Sequence, residues 1–278
     1  MLAQLVINLN SGRARAYANA TREALRAAGI AFIETAWPHE LVPEAGCIIC
    51  AGGDGTLLAA IESAIARNLP LGIVPLGTFN DLARTLGIPL DVHGAVAVIA
   101  AGHERAIDAA RVNDRYYVNE ASIGISSRIS RLQTPELKQR FGFLAVIATA
   151  FTALRYARPI RAEVHFEGRR ERLRTIQLTV ANSQHFGGFL NVSTVAIDDG
   201  HLELYSVDIR HLYQAFAIAR AMLAGRSVHV PGLRALRSQR FDVVTRHPHH
   251  IAADGEPAGT TPATFEVFPK ALRIFTPQ

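Results

Sequence analysis

Residues 47–56 read Cys-Ile-Ile-Cys-Ala-Gly-Gly-Asp-Gly-Thr, an apolar run that leads into a glycine-rich turn and then into a helix-like segment. The run predicts a buried strand, and Gly52, Gly53 and Gly55 allow the backbone to approach an anion closely. Amide groups in such a turn, with the positive end of the following helix dipole, favour a bound phosphate. The turn lacks the lysine of a P-loop and the spacing of a dinucleotide fingerprint. A purely structural glycine turn is the alternative interpretation.

A second polar loop follows a second apolar run. Residues 71–75 predict a buried strand, and residues 75–81 continue as Pro-Leu-Gly-Thr-Phe-Asn-Asp. In a parallel sheet, the loops after neighbouring strands meet at the same carboxyl edge, where ligands bind. Thr78, Asn80 and Asp81 are therefore expected beside the glycine turn, although Thr78 is equally suited to capping a helix.

The order of predicted elements indicates two domains. Up to about residue 100, strand patterns at 5–9, 31–35, 47–51 and 71–75 alternate with helix patterns at 13–28, 56–66 and 79–86, the βαβ rhythm. From about residue 106, short strands are separated by turn pairs such as Glu167-Gly168 and Asp254-Gly255, with helices expected near 136–156 and 212–225. We predict an α/β domain over 1–107 and a β-rich domain over 108–278, with residues 270–278 packing back on the first domain.

The composition narrows the class of protein. The 278 residues are 49% hydrophobic and 19% charged, with two cysteines, which argues against a disordered chain and against a disulfide scaffold. The longest nearly uncharged stretch, 141–154, is shorter than the ~20 residues of a membrane-spanning helix. The start reads as a strand rather than an export signal, so we expect a cytoplasmic location.

The net charge of +5 suits an anionic partner, either a nucleotide, an anionic membrane surface or nucleic acid. No helix-turn-helix or RNA-binding signature occurs in the sequence, so nucleic acid is not expected. The densest basic group, Arg169, Arg170, Arg172 and Arg174, is interpreted as a solvated strand face.

Six motifs in order resemble those of the diacylglycerol kinase catalytic family, which includes sphingosine kinases and related bacterial lipid kinases. They are Asn8-Leu-Asn-Ser-Gly, Gly52-Gly-Asp-Gly-Thr, Pro75-Leu-Gly-Thr-Phe-Asn-Asp, Ile107-Asp108, Ala196-Ile-Asp-Asp-Gly-His and Asp254-Gly-Glu. Leu9 stands where the family usually has proline, and the segment between Thr35 and Gly52 is shorter than usual. The resemblance implies an NAD-kinase-like α/β domain, a β sandwich and an active site in the cleft between them.

The resemblance also implies roles for single residues. Glu256 would accept a proton, while Asp81 and Asp108 would support a catalytic Mg²⁺ network. Asp199, with the main-chain carbonyls of Ala196 and His201, would hold a structural Mg²⁺. The implied ATP site comprises Asn8, Asn10, Ser11, Gly12, Thr35, Gly52, Gly53, Asp54, Gly55, Thr56, Leu57, Leu58, Thr78 and Asn80. Without the other motifs, Glu256 would read as a solvated turn carboxylate.

The implied reaction transfers the γ-phosphate of ATP to a hydroxyl of a membrane lipid such as diacylglycerol. It implies peripheral contact with the inner face of the membrane and, as in many relatives, a possible homodimer. Residue order does not identify the lipid. NAD kinase is the nearest alternative because it shares the Gly-Gly-Asp-Gly-Thr turn, and a nucleotide-binding regulator that has lost catalysis is the other.

Four further features have ordinary interpretations. Cys47 and Cys50 face opposite sides of a strand and read as buried thiols rather than a metal site. The 247–250 histidine tract reads as an exposed loop, and Asn119-Glu120 as a strand end rather than the nucleoside-binding pair of NAD kinases. The apolar stretch 141–154 and the Phe186-Gly-Gly-Phe loop are suited either to an acyl-chain entrance or to core packing.

Overall fold

A computed structural model describes residues 2–9, 12–35, 42–78, 80–125, 158–183, 185–186, 190–191, 196–208 and 233–278. The helices expected near 136–156 and 212–225, most of the Phe186-Gly-Gly-Phe loop, Asn10 and Ser11 lie outside these residues. Within them, no helix has the length and apolar character needed to cross a membrane.

Four helices and eighteen strands make up the described fold. The helices are α1 Gly12–Ala27, α2 Asp54–Arg67, α3 Asp81–Thr85 and α4 Val92–Ala101. The strands are β1 Leu2–Ile7, β2 Ala31–Thr35, β3 Cys47–Gly52, β4 Leu71–Pro75, β5 Glu104–Val112, β6 Arg115–Tyr117, β7 Glu120–Gly124, β8 Ile160–Phe166, β9 Arg169–Thr175, β10 Gln177–Ala181, β11 His185–Phe186, β12 Leu190–Asn191, β13 Leu202–Val207, β14 Leu233–Ser238, β15 Arg240–Thr245, β16 His250–Ala253, β17 Glu256–Thr260 and β18 Ala263–Phe275.

The first domain is a parallel sheet in the order β2-β1-β3-β4 with helices packed on it. Every residue of β3 and β4 is buried, as their unbroken apolar sequences predict for the centre of a parallel sheet. The pattern analysis missed α4, whose N-cap Asp91 accepts a hydrogen bond from the Gly94 N–H at 2.8 Å. That aspartate and Gly102 at the other end are recognisable cap signals.

Strand β18 joins the two domains. Its first half pairs with β15, whereas Ile274 near its end lies parallel to Leu71 of β4, and β5 runs antiparallel along both halves. The pairing with β5 is interrupted between Phe268 and Leu272, where Lys270 has a φ of 54°. One ten-stranded sheet therefore extends from the first domain into the second.

A second, six-stranded sheet in the order β14-β13-β10-β7-β16-β17 completes the β-rich half. Apolar side chains of the two sheets, among them Val164, Val180, Phe241 and Phe265, form one buried cluster. A separate cluster fills the first domain and includes Ile274 of β18. The predicted fold class, an α/β domain followed by a β sandwich, is confirmed, while the boundary near residue 107 stays a prediction.

Candidate active site

The glycine turn and the second loop touch through their backbones. A Cβ atom on Gly77 would lie 2.6 Å from the Cα of Gly53, and one on Gly53 would lie 3.1 Å from the Cα of Gly77. A Cβ on Gly52 would lie 2.7 Å from the Thr56 Cβ. Real Cβ atoms essentially never approach another atom to 2.6 or 2.7 Å, so glycine at 77 allows the two loops to pack at the carboxyl ends of β3 and β4, and glycine at 52 leaves room for Thr56.

Polar side chains fix the two loops in register. The Asp54 carboxylate accepts hydrogen bonds from the backbone N–H groups of Asn80 and Asp81, both at 3.2 Å. Asn80 has a φ of 52°, and its side-chain amide exchanges hydrogen bonds with the backbone of Gly77. The motif residues Asp54 and Asn80 therefore hold the loops together, and Asp81 begins α3 beside Asp54.

The remaining predicted ATP-site residues divide into two groups. Asn8, just after β1, donates from Nδ2 to the Thr56 hydroxyl at 3.2 Å, and Thr78 is exposed on the second loop. By contrast, Leu57 and Leu58 are buried, and the Thr35 hydroxyl accepts a hydrogen bond from Gln4 Nε2 at 3.1 Å. Gly12 begins α1. Contact of any of these residues with ATP stays a prediction.

Glu256 reaches across from the second domain to the glycine turn. A Cβ atom on Gly55 would lie 3.0 Å from Glu256 Oε1, so this carboxylate stands directly over the turn. Glu256 begins β17 immediately after the Asp254-Gly255 turn, where φ values of 46° and 85° reverse the chain. The arrangement places a carboxylate from one domain beside the predicted phosphate-binding backbone of the other.

Asp254, absent from the predicted site, anchors that turn. Its carboxylate accepts hydrogen bonds from the backbone N–H groups of Val118, Asn119 and Glu120 at 2.8, 3.0 and 2.9 Å. Burial raises the pKa of Asp254 to about 6, against the three hydrogen bonds that lower it, and the charge of Asp54 raises it further. The Asp-Gly pair in the sequence predicted the turn, but it did not predict that the Asp254 carboxylate would hold the turn in place.

Glu120 is the second residue that the sequence analysis missed. Burial, followed by the charges of Asp254 and Asp81, raises its pKa well above the ordinary value. Its Oε2 atom is buried and has no hydrogen-bond partner. Carboxylates at positions 54, 81, 120, 254 and 256 thus converge on the cleft, and only burial in the fold distinguishes Glu120 from an ordinary strand-end glutamate.

Asp108 has the contacts of a structural anchor. It is 1% exposed, and its two carboxylate oxygens accept hydrogen bonds from the backbone N–H groups of Gly200 at 2.6 Å and Lys270 at 2.8 Å. The Asp108 N–H donates to the Ile197 carbonyl at 2.8 Å. Asp108 therefore ties β5 to the 196–201 turn and to the interruption in β18, and its role in a Mg²⁺ network stays a prediction.

The predicted structural Mg²⁺ turn already has donors at its carboxylate. Asp199 Oδ2 accepts the Ala196 N–H at 2.8 Å and lies 3.1 Å from the Arg237 guanidinium, while Oδ1 accepts the His201 N–H at 3.0 Å. Each carboxylate oxygen has two lone pairs, so these contacts fill Oδ2 but leave one acceptor site on Oδ1. Binding of a structural Mg²⁺ by Asp199 and the carbonyls of Ala196 and His201 therefore stays a prediction.

The two cysteines and the histidine tract lie apart from this chemistry. Cys47 and Cys50 are buried in β3 as free thiols, and burial raises their pKa values to about 11 and about 12. His247 is exposed. In the parts of the chain described above, no three His, Cys, Asp or Glu side chains are close enough together to hold a metal ion by themselves.

Comparison with known proteins gives two matching domain families. Residues 3–112 match the diacylglycerol kinase catalytic domain, and residues 119–276 match the YegS C-terminal NAD kinase beta sandwich-like domain. A diacylglycerol kinase of Staphylococcus epidermidis is 27% identical over 241 residues, 86% of this chain and 76% of that protein. One from Staphylococcus aureus is 28% identical over 233 residues, 83% of this chain and 74% of that protein.

Solved structures show the same fold. A diacylglycerol kinase from Bacillus anthracis superposes with a TM-score of 0.80 at 20% identity, covering 99% of this chain and 96% of that one. An NAD kinase from Archaeoglobus fulgidus in complex with ATP superposes with a TM-score of 0.58 at 14% identity, covering 99% of this chain and 94% of that one. Both likenesses concern the two-domain architecture.

Proposed function

Because the chain belongs to the diacylglycerol kinase catalytic family, with a YegS-type second domain, we propose that it transfers the γ-phosphate of ATP to a hydroxyl of a membrane lipid such as diacylglycerol. The observation that carries the proposal is the position of Glu256 Oε1 over Gly55. A proton acceptor on one side of a cleft and a phosphate-binding turn on the other are the two parts that phosphoryl transfer requires.

The nucleotide would lie on the first domain. The backbone of the glycine turn and the first turn of α2 would face the phosphates, because their N–H groups and the helix dipole favour negative charge. The absence of side chains at Gly53 and Gly77 allows the two loops to pack together at this surface. The Asp54 hydrogen bonds to residues 80 and 81 hold the second loop beside it.

Glu256 would act as the general base. As the lipid hydroxyl oxygen forms a bond to the γ-phosphorus, the bond from that phosphorus to the β,γ-bridging oxygen breaks, ADP leaves, and Glu256 takes the hydroxyl proton. The three backbone hydrogen bonds at Asp254 hold the turn, so Glu256 is positioned before the substrate binds.

The acidic cluster fits a magnesium ion that arrives with the nucleotide. Mg²⁺ in kinase sites is bound by one or two carboxylates together with phosphates, where it neutralises phosphate charge. Asp54 and Asp81 would supply those carboxylates. Burial, and after it the charges of neighbouring carboxylates, raise the pKa values of Glu120 and Asp254, and a divalent cation nearby would favour their ionised forms.

The molecule that accepts the phosphate distinguishes the proposed function from its alternatives. The full chain would be incubated with γ-labelled ATP and Mg²⁺, with mixed micelles of diacylglycerol in one reaction and NAD in another. We expect label in the organic-extractable lipid. Label in NADP instead would overturn the proposal in favour of NAD kinase. ATP binding without transfer to either acceptor would favour a regulator or a lipid acceptor other than diacylglycerol. The cytoplasmic location, contact with the membrane and the homodimer stay predictions.

A further inference from the structure

The outer face of the ten-stranded sheet in the second domain carries an unusual row of arginines. Side chains alternate between the buried sandwich interior and this face on β8, β9 and β15. The residues that point outward, here called the outer face, are Arg161, Glu163, His165, Arg170, Arg172, Arg174, Arg240, Asp242 and Val244. Five arginines against two carboxylates give this face a net charge of +3 with His165 neutral.

The acidic side chains on the outer face already have partners. Glu163 contacts Arg170, lies 3.5 Å from Arg172 and accepts a hydrogen bond from His165 at 2.8 Å. Asp242 pairs with Arg240 at 3.2 Å. These pairs are exposed and contribute little to stability. The two carboxylates leave the other arginines of this face without a counter-charge.

Arg161 and Arg174 lie directly opposite each other across the β8–β9 ladder, and both are exposed. Across the described ranges, no carboxylate forms an ion pair with either of them. Like charges directly opposite on two strands destabilise a sheet. The exposed Arg246 follows Thr245, the partner of Ala162, so the same register brings a third arginine next to Arg161.

Protection of a sheet edge does not account for this pair. Charged side chains on an edge strand prevent pairing with other chains, and β9 is the edge of this sheet. Arg161, however, lies on β8, which is paired on both sides by β9 and β15. An interior strand needs no such protection, so the arginine opposite Arg174 indicates an anionic ligand.

We propose that the outer face binds the phosphate headgroups of an anionic bilayer, an inference that rests on the proposed lipid kinase function. Three neighbouring strands span about 10 Å, so the guanidinium groups on this face lie close enough together to contact several adjacent phosphates. Guanidinium groups form paired hydrogen bonds with phosphate oxygens. The outward residues of these strands include no Phe, Tyr or Trp on which nucleic acid bases would stack, which favours the membrane over RNA.

Vesicle binding tests the proposal. The full chain would be sedimented with phosphatidylcholine vesicles, with and without phosphatidylglycerol as about one lipid in three. We expect binding only to the anionic vesicles, and a fall of about 30-fold in the partition coefficient for Arg161→Gln with Arg174→Gln. The matched control, Arg15→Gln with Arg26→Gln, makes the same charge change on exposed residues of α1 and should keep wild-type binding.

Three further measurements separate the outcomes. The outer-face variant should keep its melting temperature or gain slightly, since a repulsion is removed, and should still phosphorylate diacylglycerol in detergent micelles. Equal vesicle binding by wild type and variant, equal binding to neutral vesicles, or preferential binding of duplex RNA at the same salt would each overturn the proposal. Arginine-dependent vesicle binding without phosphorylation of any lipid would support the outer face and refute the proposed kinase function.

Discussion

The two sides of the cleft are held in position by different means. In the first domain, the loops after β3 and β4 touch through glycine backbones, and a Cβ on Gly77 would lie only 2.6 Å from the Cα of Gly53. In the second domain, the turn that carries Glu256 is anchored by the half-buried carboxylate of Asp254, which accepts three hydrogen bonds from backbone N–H groups. The first surface depends on the absence of side chains, and the second depends on a charged side chain that is partly removed from water.

This difference suits the two tasks. A phosphate-binding surface needs exposed backbone N–H groups. Glycine exposes its N–H group and has no side chain that titrates. A general base must gain and lose a proton, and beside it burial, followed by the charges of nearby carboxylates, raises the pKa values of Asp254 and Glu120. Changes on the first side should therefore affect nucleotide binding, and changes on the second side should affect turnover and its pH dependence.

The largest effect is expected for Glu256→Gln. The amide keeps the size of the side chain but cannot accept the hydroxyl proton, so kcat should fall by about 10²–10⁴-fold. ATP binding and the melting temperature should change little, because Glu256 is exposed and lies over Gly55 without supporting the core. Measurement of lipid phosphorylation and of ATP binding on the same preparation would test both statements.

Glu23→Gln is the matched control for that substitution, since Glu23 is an exposed residue of α1 away from the cleft. It should keep wild-type kcat. Near-normal turnover by Glu256→Gln would remove the general base from the mechanism.

The next largest effect is expected for Gly77→Ala. Its new Cβ would meet the Gly53 backbone at 2.6 Å, so the loops must separate, at a cost of about 1–3 kcal/mol in stability. We expect a higher KM for ATP.

Gly255→Ala tests the other side of the cleft. No atom lies within 4 Å of the new Cβ, but the residue must keep a φ of 85°, which strains the turn that carries Glu256, so the substitution should lower kcat and leave ATP binding intact.

Gly168→Ala separates backbone strain from these site effects. It has a φ of 71° and open space around the new Cβ, in the β8–β9 turn away from the cleft. It should lower stability by about 1 kcal/mol with both kinetic constants unchanged. A Gly77→Ala protein with wild-type KM for ATP would contradict the role given to the packed loops.

The first side of the cleft was largely predictable from the sequence, whereas the second was only partly so. Apolar strands followed by glycines are a local pattern, and the predicted strand over 71–75 has the bounds of β4. The burial of Glu120 and Asp254 depends on β7 and β16 pairing across more than 100 residues of sequence. Likewise, the donors around Asp199 include Arg237 from β14, which no local motif reveals.

A smaller effect is expected in the pH dependence of stability. The pKa of Asp254 is raised to about 6 in the folded protein, so its stabilising contribution is complete below the unfolded pKa and is lost as pH rises through 6. The free energy of unfolding should therefore decrease between about pH 4 and pH 7, by at most about 3 kcal/mol from this residue. Glu120, whose pKa is also raised, contributes in the same direction.

Glu120→Gln tests this dependence, because it removes one titrating group and the repulsion with Asp254 while keeping the side-chain shape. Chemical denaturation at pH 5 and pH 7.5 should show a smaller difference for the variant than for the wild type. Glu62→Gln, a partly exposed residue of α2, serves as the control and should keep the wild-type difference. Identical pH profiles of stability for Glu120→Gln and wild type would show that Glu120 does not contribute to the pH dependence.

The smallest effect is expected at Thr35, for which the family resemblance and the observed hydrogen bonds indicate different roles. The resemblance places Thr35 in the ATP site, but its hydroxyl accepts from Gln4 Nε2, and Gln4 Oε1 in turn accepts from the Val42 N–H and from Arg67, both at 3.2 Å. Loss of one hydrogen bond in this network should cost Thr35→Val about 1 kcal/mol of stability with an unchanged KM for ATP. Thr35→Ser, which keeps the hydroxyl, should recover much of that stability. A raised KM in the valine variant that serine restores would instead place the hydroxyl in contact with the nucleotide, and would extend the ATP site from the glycine loops to the end of β2.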